Sequence, residues 1–435
     1  MSKNFYIKTF GCQMNEYDSN RIADLLQSID LKRVDDEQLA DYFIFNTCHI
    51  REKATQKVYS DIGKIKKIFR HKRSKPTFIL AGCVAQAESS VVFEKSDFVD
   101  IVVGPQAYHK LPGIIQEHDQ NREKICNTDL DVSEKFDTLN SYKNNFSKVS
   151  SFVTIQEGCD KFCKFCVVPY TRGPEFSRSA DTIIKEVQNL VDYGTREVVL
   201  LGQNVSAYQH EDFNLAKLIK QIATIAKLER IRFTTSHPND FDEELINIFK
   251  SEPKLMPQLH LPVQSGSNKI LELMNRKHTR EFYLDLISKF KSARSDIEFS
   301  SDFIVGYPGE TEEDFEQTIS LVEEVQFSNS YSFIYSQRPG TPAVDLDQIS
   351  KPVAQKRLEK LQQVLFDLQL KSNASKINQK TKVLIENMTS TANQFFGRNE
   401  YMQPVFINAN NCIIGNVIDV SIHSYKRNNL FGTII

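Results

Sequence analysis

Residues 157–173 read EGCDKFCKFCVVPYTRG and carry Cys159, Cys163 and Cys166 in the spacing C-x3-C-x2-C. The apolar run 152–155 leads into them as a short strand. Thiolates this close on one loop bind metal or pair as a disulfide. Zinc sites usually take four ligands, with cysteines in C-x2-C pairs. Here there are three, unevenly spaced, with Phe165 before the last. A cubane iron–sulfur cluster fits better, since thiolates are its normal ligands. Three ligands for four irons leave one iron open to a substrate.

Outward from this loop, the chain has 435 residues, 40% hydrophobic and 25% charged, with net charge −2. That length predicts two or three domains. Near-neutral charge confines any nucleic-acid contact to a local basic patch. The opening MSKNFYIKTFGC lacks the apolar core of a signal peptide, and no stretch is long enough to span a bilayer. The expectation is a cytoplasmic protein with no membrane partner, whose eight cysteines act as ligands or catalysts and not as disulfides.

Upstream, residues 5–10, 42–46, 77–81 and 99–103 read as strands. Residues 16–28, a segment from about Glu52, and 108–116 read as helices. This alternation predicts a parallel sheet covered by helices. Cys12, Cys48 and Cys83 each follow a strand, in FGCQMN, FNTCHI and AGCVAQ. Ligands of open parallel sheets bind beyond the carboxyl ends of the strands, so these three cysteines point to a second iron–sulfur cluster. Cys126 and Cys412 lack that placement and read as small buried hydrophobes. After Cys48, Val58, Ile62, Ile65 and Phe69 form a helical apolar stripe. Around it stand Lys53, Lys57, Lys64, Lys66, Lys67, Arg70, Lys72, Arg73 and Lys75. They form either a solvated face or, beside the cluster edge, a footprint for a phosphate backbone. Residues 118–148 are polar and irregular and read as a linker between domain 1–117 and domain 149–376.

Downstream, strands at 197–201, 230–234, 258–262, 298–305 and 330–335 alternate with helices at 215–226, 243–249, 281–292 and 312–325. A further helix runs from a cap at Ser179 or Asp181 to Val191. With the first strand this makes six βα units, a partial (β/α) barrel whose site lies at the C-terminal strand ends. Those ends carry Gly202, Gln203 and Asn204, then Ser236, then Gln264 and Ser265, then Gly306. Each alone is ordinary turn chemistry; together they describe a pocket rim. Residues 351–376 form a long helix. From 377 to 435 short strands predict a small antiparallel β-barrel. Six Lys or Arg against three Asp or Glu in 376–435 give it a net +3, Lys426 and Arg427 included, which suits RNA or a structural cap.

The motifs TFGCQMN at Thr9, NTC with REKA at Asn46, AGCVAQ at Ala81 and EGCDKFCKFCVVPYTRGPEFSR at Glu157 resemble those of the radical S-adenosylmethionine (SAM) methylthiotransferases. LLGQNVSAY, LPVQSGS and FIVGYPGET match as well. Over nearly its whole length the chain most resembles the branch that makes 2-methylthio-N6-isopentenyladenosine beside the anticodon, and VVPYTRG-x-E-x-SR resembles the tRNA-type form of the motif. The C-terminal barrel resembles a TRAM domain, an RNA-binding fold. The resemblance implies two 4Fe–4S clusters, one on Cys12, Cys48 and Cys83 and one on the catalytic Cys159, Cys163 and Cys166. It implies SAM on the open iron of the latter, held by the rim residues. It also implies the anticodon loop of a tRNA as partner and an electron donor such as flavodoxin or ferredoxin. RNA contacts are expected at Lys64, Lys66, Lys67, Arg70, Lys426 and Arg427. Sister enzymes act on threonylcarbamoyladenosine in tRNA or on an aspartate of a ribosomal protein. A non-catalytic iron–sulfur RNA-binding protein is the alternative of another class, and the polar barrel edge argues against it.

Overall fold

The structure is a computed structural model that describes residues 3–48, 52–70, 75–139 and 148–435. The N-terminal unit holds a six-stranded sheet. In chain order its strands are β1 (Asn4–Thr9), β2 (Lys32–Arg33), β3 (Tyr42–Thr47), β4 (Thr77–Gly82), β5 (Ile101–Val103) and β6 (Ile125–Asn127), in spatial order β2-β1-β3-β4-β5-β6. All the pairings are parallel. The central β3 and β4 are buried along their whole length, as expected of strands covered on both faces. On one face Phe43 stacks on Phe78 at 5.4 Å, and Phe45 meets Phe78 edge-on at 4.9 Å. Helix α2 (Glu52–Phe69) lies over them through Val58, Ile62, Ile65 and Phe69. On the other face α1 (Gln13–Gln27) and α5 (Leu111–Asn121) cover Tyr42, Ile44 and Ile79. Two short helices, α3 (Cys83–Glu88) and α4 (Val91–Lys95), follow β4.

The stretch expected as a linker departs from that reading. Of its described part, 118–139, Ile125–Asn127 is the sixth strand of the sheet. Val132–Leu139 forms helix α6, with Val132, Phe136 and Leu139 in the core. Its few apolar residues are diluted by charges, one of which, Lys135, is itself fully buried, so the composition reads as loop. Residues 140–147 lie outside the described residues.

The central unit follows the six-unit pattern. Strands β7 (Ser150–Thr154), β10 (Glu197–Leu201) and β13 (Arg230–Phe233) form one parallel sheet; β14 (Gln258–His260), β15 (Glu298–Val305) and β16 (Asn329–Ile334) form another. A parallel bridge between Ile231 and Leu255 joins the two into one arc. Two-residue strands β8 (Gln156–Glu157) and β9 (Phe176–Ser177) pair across the cysteine loop. A small hairpin, β11 (Gln209–His210) with β12 (Phe213–Asn214), follows β10. The helices are α7 (Val168–Arg172), α8 (Ala180–Asp192), α9 (Leu215–Ala223), α10 (Glu243–Ser251), α11 (Asn268–Leu273), α12 (Arg280–Ala293) and α13 (Glu312–Val325). Ser179 is the N-cap residue of α8, as one of the two expected positions, though its side chain makes no cap bond; Asp181 lies in the first turn. Thr311 and Asp314 form a reciprocal capping box on α13. Edge strand β7 is covered by α1 of the N-terminal unit, where Met14 and Tyr17 pack with Val199 and Leu201. At the other end of the arc, α14 (Lys351–Ser375) lies on β16.

The tail is a closed five-stranded barrel of β17 (Lys380–Met388), β18 (Gln394–Arg398), β19 (Pro404–Asn408), β20 (Val417–Lys426) and β21 (Asn429–Ile434), in the order β17-β18-β19-β21-β20. One pair, β19 with β21, is parallel, so the barrel is not purely antiparallel as expected. Two arginines of β13 fasten it to the core. Arg230 donates to the carbonyls of Arg398 and Lys382, both at 2.7 Å. Arg232 donates to those of Glu400 and Asn399, both at 2.9 Å, and to Glu197 at 2.8 Å. Burial alone would push the Glu197 carboxyl up; Arg232 and Arg230 outweigh it and hold it below its usual value.

Arg232→Ala should lower stability by about 3–5 kcal/mol, because it removes the direct ion-pair partner of the buried Glu197 and leaves it to Ser150 and the more distant Arg230. Urea unfolding at neutral pH checks this. The difference from wild type should shrink as pH falls below the ordinary Glu value of 4.5, since a depressed carboxyl contributes stability only while ionised.

Candidate active site

Cys12 is the residue before α1, in extended conformation. Cys48 follows β3, and Cys83 is the first residue of α3. The strand ends close on one another because two positions have no side chain. Gly11 has φ +106°, and a Cβ there would lie 2.1 Å from that of Cys48; Gly82 has φ +90°, and its Cβ would lie 2.4 Å from the Thr47 carbonyl. Buried amides stiffen the edge. Asn15 donates to the Phe10 carbonyl at 3.0 Å, and Asn46 to the Asn15 carbonyl at 2.9 Å. Cys12 and Cys48 are within hydrogen-bonding reach; that contact, assisted by Arg172, lowers the Cys12 thiol to about 6. Burial pushes the Cys83 thiol up, and the charge of Arg172 offsets this only in part.

The second set lies on the loop between β8 and α7. Gly158, at φ +77°, could not hold a Cβ, which would fall 1.8 Å from the Pro174 carbonyl. The loop is tied down by Cys159 N–H to Gly173 O (3.2 Å), Cys166 N–H to Cys163 O (2.9 Å) and Lys164 N–H to Met274 O (3.0 Å). Burial pushes the thiols of Cys159 and Cys166 up, to about 12 and about 11. Arg276, itself buried, donates to Cys163 at 3.5 Å. Among the described residues no three Cys, His, Asp or Glu side chains converge to the spacing of a single ion. A four-iron cube, with one thiolate on each of three irons, spans more than one ion does. Two sets of three thiols, each with a buried arginine close by and glycines where backbone approaches, fit such a group.

The expected rim divides in two. Gln156 Oε1 accepts from the N–H groups of Gln203 (2.9 Å) and Asn204 (3.0 Å), while Gln203 Oε1 accepts from Gly158 N–H at 2.6 Å. Gly202 leaves room for that Gln156 oxygen. Gly202, Gln203 and Asn204 thus brace the cysteine loop. Ser236 is buried with its hydroxyl unpartnered, and Gln264 is held at φ +77°. Ser265, by contrast, is fully buried and meets Thr318 at 3.3 Å, and the Gly306 N–H is taken by Glu310 at 2.7 Å. Those two shape the wall from behind. His237 and His278, ring centroids 5.8 Å apart, stand nearby; burial pulls both imidazoles down, His278 to about 4.

Sequence reasoning missed the link between the two cysteine sets. Arg172 donates to Asp18 at 2.8 Å and to Glu157 at 3.2 Å; Lys135 meets Glu157 at 2.5 Å and Gln106 at 3.2 Å. All four charged groups are buried. Arg172 and Glu157 bound the quoted motif, so their presence was legible, but Asp18 and Lys135 carry no motif signal.

The basic residues are placed differently from the expectation. Helix α2 runs antiparallel to β3, and its 18 residues span about 27 Å. Lys64, Lys66, Lys67 and Arg70 therefore stand at the end away from the cysteines, not beside them. Lys64 pairs with Asp61 at 2.8 Å and Lys66 with Asp97 at 2.5 Å, while Lys67 and Arg70 are exposed without an acidic partner among the described residues. The side chain of Lys53, and Lys72 and Arg73, lie outside the described residues. Lys426 and Arg427 form the tip between β20 and β21, where the Arg427 carbonyl accepts from Asn373 at 2.8 Å. The barrel docks at the N-terminal ends of β10 and β13, opposite the cysteine loop. Among the described residues no helix is long and apolar enough to cross a membrane.

Three family models match: the radical SAM superfamily over residues 153–322, the uncharacterised protein family UPF0004 over 4–104, and the TRAM domain over 374–435. A protein of Pelagibacter ubique (strain HTCC1062), named tRNA-2-methylthio-N(6)-dimethylallyladenosine synthase, is 51% identical over 438 residues, 100% of this chain and 98% of that one. Its namesake from Rickettsia typhi is 48% identical over 446 residues, 100% of both chains. Among solved structures, the radical SAM methyltransferase TsrM from Kitasatospora setae matches with TM-score 0.55 and 13% identity, over 79% of this chain and 77% of that one. The cobalamin-dependent SAM radical enzyme OxsB matches with TM-score 0.53 and 11% identity, over 83% and 56%; at such identities the likeness is one of fold. The chain belongs to the radical SAM superfamily and, within it, to the family of those two synthases.

Proposed function

We propose that this chain is a transferase that adds a methylthio group to carbon 2 of N6-isopentenyladenosine beside the anticodon of tRNA. What carries the reading is one observation: two sets of three cysteines lie on strand ends of adjoining units, and the buried Arg172, on a helix packed against the one that begins at Cys83, is ion-paired to Glu157 on the loop of the other set. Cys159, Cys163 and Cys166 would hold the SAM-binding 4Fe–4S cluster, and Cys12, Cys48 and Cys83 a second one. When bound, the first supplies the one-electron cleavage of SAM that opens an unactivated C–H bond, and the second supplies sulfur.

The chain's own part is placement. Gln156, Gln203 and Asn204 brace the loop that presents Cys159, while Ser236 and Gln264 offer polar groups on the rim for SAM. Arg276 neutralises Cys163. Buried walls keep water from a reactive intermediate. A base extruded from the anticodon loop gains access to this mouth, and a flavodoxin or ferredoxin would deliver the electrons in the cytoplasm. Lys64, Lys66, Lys67 and Arg70, with Lys426 and Arg427 on the TRAM barrel, would contact phosphates of an anticodon arm lying along the flank. The test is incubation of the reduced, cluster-loaded protein with SAM and isopentenylated tRNA, followed by mass spectrometry of the nucleosides. A product without added methylthio overturns the reading.

Cys159→Ala, Cys163→Ala and Cys166→Ala should each abolish cleavage of SAM to 5′-deoxyadenosine. The triple alanine variant at Cys12, Cys48 and Cys83 should still cleave SAM, make no methylthio product, and hold about half the wild-type iron, as two clusters of one type require. Chromatography of the cleavage products and iron assay read both.

Replacing Lys64, Lys66, Lys67 and Arg70 by Gln should weaken tRNA binding and flatten its dependence on salt, because fewer phosphates are neutralised. Cleavage of SAM without tRNA should be unchanged. Filter binding across a salt series measures the slope, and an unaltered slope removes this helix from the RNA footprint.

A further inference from the structure

Helix α3, which begins at Cys83, packs against α7, which ends at Arg172. The two helices belong to different units. Arg172 is 2% exposed, and its guanidinium meets Asp18 from the N-terminal unit and Glu157 from the cysteine loop of the core, with its charge felt at Cys83 and Cys12. Its own carbonyl accepts from Gln106 at 2.9 Å, so backbone and side chain are both fixed. Glu157 is two residues from Cys159. A single rigid side chain thus links one cysteine set to the loop that carries the other.

The charges around it are not evenly shared. Glu157 is also paired with Lys135, at 2.5 Å, and Lys135 reaches Asp18 at 3.8 Å. The two carboxylates are matched by two cations, and of these it is Arg172 that also faces the sulfurs. A buried cation beside a cluster stabilises its more negative, reduced form, because charge and hydrogen bonds to sulfur set cluster potentials. A buried guanidinium also keeps its charge at any working pH.

We propose that Arg172 is a positioning residue of the Cys12/Cys48/Cys83 site, holding a fixed positive charge beside the cluster bound there. This rests on the proposed function insofar as it requires a cluster at that site. It makes the site more accepting of an electron, or of an anionic sulfur ligand, than three thiolates in an apolar pocket would be. It also fixes the separation of the two cysteine sets, since Arg172 and Cys159 share Glu157.

The experiment isolates one cluster. In full-length protein carrying Cys159→Ala, Cys163→Ala and Cys166→Ala, Asp18→Asn serves as the reference, so that removing Arg172 leaves no unpaired carboxylate: Lys135 retains Glu157. Arg172→Gln and Arg172→Lys are each added to that background. Iron and sulfide are assayed, and the midpoint potential is followed by electron paramagnetic resonance. The expected result is unchanged iron and sulfide, a midpoint shifted to more negative values by Arg172→Gln, and recovery towards the reference with Arg172→Lys. Loss of the cluster in Arg172→Gln with retention in Arg172→Lys also supports the proposal, since the charge then holds the site together. Equal midpoints in the reference and Arg172→Gln overturn it, as does loss of the cluster in both variants. Absence of any cluster in the reference protein, and in the same cysteine triple with Asp18 intact, overturns the two-cluster reading itself and this inference with it.

Discussion

The buried quartet of Asp18, Glu157, Arg172 and Lys135 is the contact on which the arrangement of the molecule depends. Each charge is matched at hydrogen-bonding distance: Arg172 by Asp18 and Glu157, Lys135 by Glu157. Burial would push the Glu157 carboxyl up, and Lys135 and Arg172 outweigh it and keep it ionised. Such a set is of small net worth to stability, because desolvation offsets most of the attraction. It is demanding in geometry, however, since any relative shift of the two units strands a charge out of water. The apolar contacts of Met14 and Tyr17 with β10 tolerate sliding; the quartet does not. It therefore acts as the register mark between the sheet that carries one cysteine set and the barrel that carries the other.

Glycine sets the second constraint. At Gly11, Gly82 and Gly158 the backbone is left-handed or beyond, and an added Cβ would fall within 2.5 Å of a neighbouring atom. Only a residue without a side chain meets both demands. The glycine before Cys12, Cys83 and Cys159 is thus what lets each cysteine leave its strand and turn back toward its partners. The glycines supply the approach that brings the thiols of each set together.

The TRAM barrel is held by backbone carbonyls accepting from Arg230 and Arg232, and by side chains of its own: Tyr401 donates to Asp296 at 3.2 Å and Gln403 to Asn373 at 3.0 Å. Because β10 and β13 begin at this dock and end at the cysteine loop, the barrel and the site are separated by the length of a strand layer. An extended partner such as a tRNA suits that separation better than a small one.

Much of this was legible in the residues. The cysteine spacings, the alternation of apolar strands with amphipathic helices, and the change to short strands after residue 377 determined the architecture, because periodicity and ligand spacing are local properties. The glycines beside the cysteines stand in the same motifs, but their positive φ and the close approach they allow are visible only in the folded chain. Tertiary structure alone decided three matters. It put Ile125–Asn127 and α6 into the first unit, where a charged stretch hides a fully buried Lys135. It sent Lys64 to Arg70 to the far end of α2, since helix direction follows from the parallel crossover and not from charge. It brought Asp18, Lys135, Glu157 and Arg172 together across 154 residues of separation. Pairing of buried charges is a property of packed surfaces meeting, and no spacing along the chain records it.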